Sequence, residues 1–342
     1  MNWLEALRRR EEERVRDYGH VRPIIHANYQ GFKFVGIGGS IFYAKEEKVK
    51  TFHDFLFIHI KKVLGEDWRN REIKKPFEQR HPILKWYDKL CKFQKQHAES
   101  RDADGIYSAI PNGVVAAYLN LAYDLYVLGD NMALREHILR RLKNKEQFQG
   151  ARYELFVTAT CIRAGFEIRH EDEADRSRKH AEFVAVHKKT GQQIAIEAKS
   201  RHRPGVLSQP GSKRPDEEVR ARVGHLLKEA YKKRPLHPYV IFVDVNYPPV
   251  AGKLFEKKWM KDVMDSNALK DSKENGRELF NVIVFTNYPH HYGSETEPDP
   301  ERDFLACFSP VPLVRARYPR AINQLVYAVQ QYGHVPHEFP AS

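Results

Sequence analysis

Two continuous apolar runs, PYVIFVDVN (238–246) and NVIVFTNY (281–288), constrain this chain most. Neither alternates like a half-solvated strand, so each reads as a strand buried on both faces, which requires helical cover. KLFEKKWMKDVMD, between them, reads as one such helix. Upstream, FEIRH (166–170) is a short strand, and HAEFVAVHKKTGQQIAIEAKS (180–200) reads as two strands joined by a turn over Lys188-Lys189-Thr190-Gly191-Gln192. A charged connection, EDEADRSRK (171–179), links the two. FQGARYELFVTATCIRAG (148–165) precedes them as a helix apolar almost all round, closed near Gly165. After the hairpin comes a basic loop, SRHRPGVLSQPGSKRP (200–215). Asp216 then reads as the N-cap of a helix, EEVRARVGHLLKEAYKKR, with acid at its start and base at its end. Helix, three strands, helix, strand, helix, strand predicts an α/β fold with a mixed central sheet flanked by helices.

The first half differs. Residues 3–17 read as a charged helix and 24–45 as strands or a hairpin around Gly36-Ile37-Gly38-Gly39-Ser40. No Gly-Lys-Ser/Thr follows these glycines, so a plain turn is expected rather than a phosphate loop. From Thr51 to about Asn144 the segments HDFLFIHIKKVLG, PILKWYDKLCKFQKQ, AAYLNLAYDLYVLG and MALREHILRRLKN carry helical periodicity, with a break at Asp130-Asn131. Their aromatic stripe (Tyr118, Tyr123, Tyr126) is read as packing rather than a base-stacking platform. The expected division is a mainly α-helical domain with a short β-rich start over 1–146, and a second domain over 147–342 whose core spans about 148–286, with a C-terminal extension. The tail from Pro289 is read as turn-rich pieces with one helix, AINQLVYAVQQYG.

At 342 residues and 42% hydrophobic content the chain can bury two cores. Its formal charge of +12 favours polyanionic partners, nucleic acid first and an acidic membrane surface second. Three scattered cysteines (Cys91, Cys161, Cys307) suggest neither a disulfide framework nor a zinc knuckle. The charged N-terminus is not a signal peptide, and no run of about 18 apolar residues is present, so a cytoplasmic protein without membrane partners is expected.

The hairpin carries the chemistry. Glu197-Ala198-Lys199 places an acid and a base on one face of the second strand, while Ile194, Ile196 and Ala198 occupy the other. A two- or four-residue loop brings Glu182 to the same face, opposite Lys199; a three-residue loop sends it to the other. Buried charges are costly unless paired or metal-bound, so this face is either a solvated Glu–Lys pair or an active site. Glu154, flanked by Leu155, Phe156 and Val157, is a second carboxylate needing a partner. Arg152 could hold it or reach a phosphate. Arg201, His202, Arg203, Lys213 and Arg214 could grip a nucleic-acid backbone, with a solvated loop as the alternative. His180 is read as a surface histidine, and His290-His291 as loop histidines rather than metal ligands.

Glu154 on a helix, Glu182 on the second strand and Glu197-x-Lys199 on the third resemble the PD-(D/E)xK nuclease superfamily, the restriction-endonuclease-like αβββαβ fold. The resemblance covers about residues 148–286. It implies that Glu154, Glu182 and Glu197, with the carbonyl of Ala198, hold one or two divalent ions, Mg2+ or Mn2+, and that Lys199 is the family's lysine. The chain departs from the family in having His180-Ala181-Glu182 where Pro-Asp is usual. The implied activity is metal-dependent hydrolysis of phosphodiester bonds, in DNA ahead of RNA. A homo-oligomer is a further implication, since many members cut two strands as dimers. The alternative is a catalytically inactive nuclease fold serving as a nucleic-acid or protein binding module; a role in a prokaryotic defence or mobile-element system rests on analogy alone.

Overall fold

The computed structural model describes all residues except 1–2, 98–104, 107, 133, 171–179, 271, 275–276, 295–301, 310–316 and 341–342. The charged connection expected over 171–179 lies outside the described residues.

Helix α1 (Trp3–Tyr18) leads into a three-stranded antiparallel meander, β1 (His26–Tyr29), β2 (Phe32–Ile37) and β3 (Ser40–Lys45). Ile37 pairs with Ser40, so Gly38-Gly39 form a two-residue hairpin turn with φ of +52° and +86°. Positive φ at both positions is the geometry that matches strand twist and that glycine adopts without strain. The plain turn was the correct expectation.

Helices α2 (Phe52–Leu64), α3 (Glu66–Ile73), α4 (Pro82–Gln96), α5 (Gly113–Asn131) and α6 (Glu136–Lys143) follow. Thr51 and Asp54 form a reciprocal capping box on α2, and Asn112 accepts from Val115 N–H at the start of α5. α5 is buried along nearly its whole length, and its aromatic residues fill the helical core.

The second region is built on α7 (Phe148–Arg163). One stripe of α7 (Phe148, Ala151, Leu155, Ala159, Ile162) packs into the helical core. Another (Tyr153, Phe156, Val157, Cys161) packs onto the sheet. An all-round apolar helix is thereby covered on both sides. The chain's end also returns to the helical region, where the Phe339 ring stands 5.4 Å from that of Phe52 and His337 O accepts from Phe52 N–H at 2.8 Å.

The sheet has six strands: β4 (Phe166–Arg169), β5 (Phe183–His187), β6 (Gln193–Ser200), β7 (Tyr239–Asp244), β10 (Val282–Asn287) and β11 (Asp303–Phe308). Two two-residue strands, β8 (Lys273–Glu274) and β9 (Arg277–Glu278), form a separate ribbon. β4, β5 and β6 form an antiparallel meander; β6, β7 and β10 are parallel; β11 returns antiparallel to β10. Strand side chains alternate between two cores. Ile194, Ile196, Val240, Phe242, Val282 and Val284 face α7 and α11 (Pro319–Gln330). Ala195, Ile241, Val243, Ile283 and Phe285 face α8 (Gly224–Tyr231) and α9 (Lys258–Met264), and the short α10 (Asn267–Lys270) packs beside α8. Both apolar runs are therefore covered on both faces.

Three expectations need correction. The tail contains a strand, β11, which was read as turn-rich. The helix expected from Asp216 is a single 3-10 turn, Asp216–Glu218, followed by extended chain, and α8 starts only at Gly224. Val219, Ala221 and Val223 are buried while Arg220 and Arg222 are exposed, a period of two rather than 3.6. Asp262 on α9 accepts from Ala221 N–H at 2.9 Å and Val219 O accepts from the Tyr247 hydroxyl, taking the place of helical bonds. Finally, the hairpin register is displaced by two residues: Phe183 pairs with Ile196 and Val184 with Ala195. Glu182 therefore lies opposite Glu197 rather than Lys199.

Candidate active site

The hairpin closes through a four-residue turn, since His187 N–H donates to Gln192 O at 2.8 Å and Gly191 supplies a φ of +68°. An even loop preserves parity, so the displaced register still leaves Glu182, Glu197 and Lys199 on one face. Glu182 N–H donates to Ile196 O at 3.0 Å, extending the ladder to the carboxylate pair.

Glu197 is the most constrained residue of this set. It is 0% exposed, on the sheet face that also carries Ala195. The Lys199 ammonium lies 2.6 Å from its Oε1, and that of Lys233, just beyond α8, lies 3.7 Å from the same atom. Its Oε2 is buried with no hydrogen-bond partner. Burial and the neighbouring Glu182 carboxylate hold the Glu197 pKa above the usual range, against the pull of the two lysines. Lys199 and Lys233 keep 22% and 26% of their side-chain surface, so the cations reach solvent while the carboxylate does not.

Glu154 sits on α7, half-buried, and forms an ion pair with Arg141 of α6. Its pKa is pushed up to about 7, by burial first, then by Glu182, with Glu197 contributing and Arg141 opposing. The three carboxylates are thus within electrostatic reach of one another. Among the described residues, however, no group of three or more His, Cys, Asp or Glu side chains is arranged to hold a metal ion. The donor set itself, hard carboxylate oxygens with one orphaned and buried, suits a divalent cation. Its charge is at present offset by Arg141, Lys199 and Lys233.

The other sequence-selected residues fall out differently. Arg152 is 3% exposed and its guanidinium meets His291 Nδ1 at 2.7 Å, so it neither holds Glu154 nor faces a nucleic-acid backbone. His290 and His291 sit in a buried 3-10 turn, where burial and Arg152 drive both pKa values well below normal and keep the rings neutral. Arg201 Nη1 donates to the carbonyls of Val245 and Asn246, both at 3.1 Å. Arg203 is half-buried, while His202, Lys213 and Arg214 are exposed.

Three residues near the site escaped sequence reasoning. Arg141 and Lys233 lie in basic runs where nothing distinguishes them from solvated neighbours. Asp244, at the end of β7, is fully buried and accepts from Ser200 Oγ at 3.0 Å and from the Tyr292 hydroxyl. An acid closing an otherwise apolar strand was the available signal. No family model, curated protein or solved structure matches the chain.

Proposed function

We propose that this chain is a divalent-metal-dependent nuclease of the PD-(D/E)xK, restriction-endonuclease-like class, hydrolysing phosphodiester bonds in DNA ahead of RNA. The observation that carries this reading is Glu197: a wholly buried carboxylate with one oxygen orphaned, a lysine at 2.6 Å, and a second carboxylate directly across the strand pair. The order α7, β4, β5, β6, α8, β7 agrees with the αβββαβ core. Glu182, Glu197 and the Ala198 carbonyl would hold Mg2+ or Mn2+, joined by Glu154 once Arg141 releases it. The metal would supply charge to stabilise the phosphorane-like transition state and to acidify attacking water. Lys199 Nζ would orient that water or hold a fixed positive charge beside the phosphate. The net charge of +12 and the exposed cations of the loop around His202 would steer a polyanion toward the site.

The test is cleavage of single-stranded, duplex and branched DNA with Mg2+ or Mn2+. Glu197→Ala and Lys199→Ala should each abolish cutting while circular dichroism stays native. Absence of cleavage of any of these by the unmodified chain refutes the proposal. A specific observation favours the second reading, a non-catalytic binding module: Arg141, Lys199 and Lys233 already offset the carboxylates. Calorimetry showing no Mn2+ binding, with DNA binding unchanged in Glu197→Ala, would select it.

A further inference from the structure

Behind the basic loop lies a cavity of about 360 Å3 between residues 201–214 and the segment 218–222. Its lining includes Arg201, Arg203, Lys213, Arg214, Arg220 and Arg222. Glu218 is the only acid among its described lining residues, for a formal balance of +5 among them. Asp216 stands 3.7 Å from Lys213 and lowers this by one where it is counted. The alternation of Val219, Ala221 and Val223 into the core is what turns Arg220 and Arg222 outward together.

One of these cations, Arg203, is not satisfied internally. Arg203 Nε and Nη1 are buried and have no hydrogen-bond partner. Two of a guanidinium's three nitrogens left dry and unpaired are costly unless something accepts their hydrogens. Arg201 and Arg203 repel one another in the same desolvated space, which lowers the pKa of Arg201 after burial itself. Arg201 is meanwhile pinned by two backbone carbonyls, so it cannot swing away.

We propose that this cavity is a binding site for a compact polyphosphate, either inorganic or the phosphate chain of a nucleotide. A single terminal phosphate carries about −2 at pH 7 and offsets less than half of the lining charge. A cavity of this volume is about 7 Å on edge, room for about two backbone phosphates of a strand spaced 3.4 Å apart along the helix axis, each with one charge. A chain of directly linked phosphates places more charge in the same space, and its oxygens match guanidinium forks. The site is separate from Glu197 and does not depend on the nuclease reading.

Isothermal titration calorimetry of the full chain at low salt tests it, with sodium tripolyphosphate, ATP, orthophosphate and a short 5′-hydroxyl oligonucleotide as probes. Tripolyphosphate should bind at least about tenfold more tightly than orthophosphate or the oligonucleotide, one charge-assisted hydrogen bond being sufficient for that ratio. ATP binding more tightly than tripolyphosphate identifies a nucleotide as the occupant; the reverse identifies the inorganic chain. Arg203→Gln should weaken tripolyphosphate at least about tenfold, and Arg220→Gln with Arg222→Gln, both on exposed positions, reads the same loss should Arg203→Gln fail to fold. Glu197→Gln should leave binding unchanged. No heat from tripolyphosphate, an oligonucleotide binding as tightly, or full affinity in the Arg220/Arg222 variant overturns the proposal.

Discussion

Replacing Glu197 by Gln separates a functional carboxylate from a structural one. In a structural ion pair, losing the acid costs stability, because the partner cations are left without an anion. Here the burden is asymmetric: the carboxylate is wholly buried, whereas Lys199 and Lys233 retain access to water. Glu197→Gln removes the desolvation of a full charge, leaves an amide of the same shape, and releases two lysines that solvent can accommodate. Removing one partner of a buried ion pair typically costs about 3–5 kcal/mol by leaving the other charge uncompensated. Contact of both lysines with water reduces that cost here, and relief of the carboxylate's own desolvation offsets it. Repulsion from Glu182 lies on the same side of the balance. These effects oppose one another, so the expected outcome is a variant within about 2 kcal/mol of the wild type at pH 7 in EDTA, read by urea denaturation, and devoid of cleavage. The sign of the pH effect follows from the raised pKa. The native state holds the Glu197 proton more tightly than the unfolded chain, so wild-type stability is largest below the ordinary glutamate value and declines as pH rises through the elevated one. Glu197→Gln removes that part of the decline. Destabilisation by more than about 2 kcal/mol at pH 7 would mark Glu197 as a structural tie and remove the observation on which the nuclease reading rests.

Asp124, buried in α5 against the Tyr332 hydroxyl at 2.7 Å, has its pKa pushed up to about 7 by burial. Its contribution is present in full below pH ~4 and is lost as pH rises toward 7, up to about 4 kcal/mol in total. Asp124→Asn should therefore gain on the wild type between pH 5 and pH 8 in thermal melts; parallel stability profiles would refute this. Gly38→Ala places a methyl against the Gly129 carbonyl at a φ of +52°. It should lower stability by at least about 2 kcal/mol, whereas Gly39→Ala, with open space around it, should show only the cost of its positive φ.

Much of the second region was legible because its signals are local. The runs 238–246 and 281–288 had to be buried whatever lay around them, and α7 had to be covered on all sides. The parity of an even hairpin loop put Glu182, Glu197 and Lys199 on one face even though the register differed by two residues. Where a local pattern was ambiguous, packing decided. VRARV fits a charged helix after an N-cap and also fits an alternating extended segment; Asp262 and Tyr247, about 25 to 40 positions away, select the second. β11 is a half-exposed edge strand whose existence depends on the free edge of β10.

The sequence by itself determined that the runs 238–246 and 281–288 and the helix 148–163 would be buried, which face of β6 would carry charge, and that a basic loop would follow it. Tertiary structure alone decided what each charge would meet: Lys233 on Glu197, Arg141 on Glu154, His291 on Arg152, and Arg220 and Arg222 in one cavity with Arg203. The reason is physical. Alternation and helical period are set by backbone geometry within a few residues, whereas the partner of a charge depends on chain segments that only long-range packing brings together.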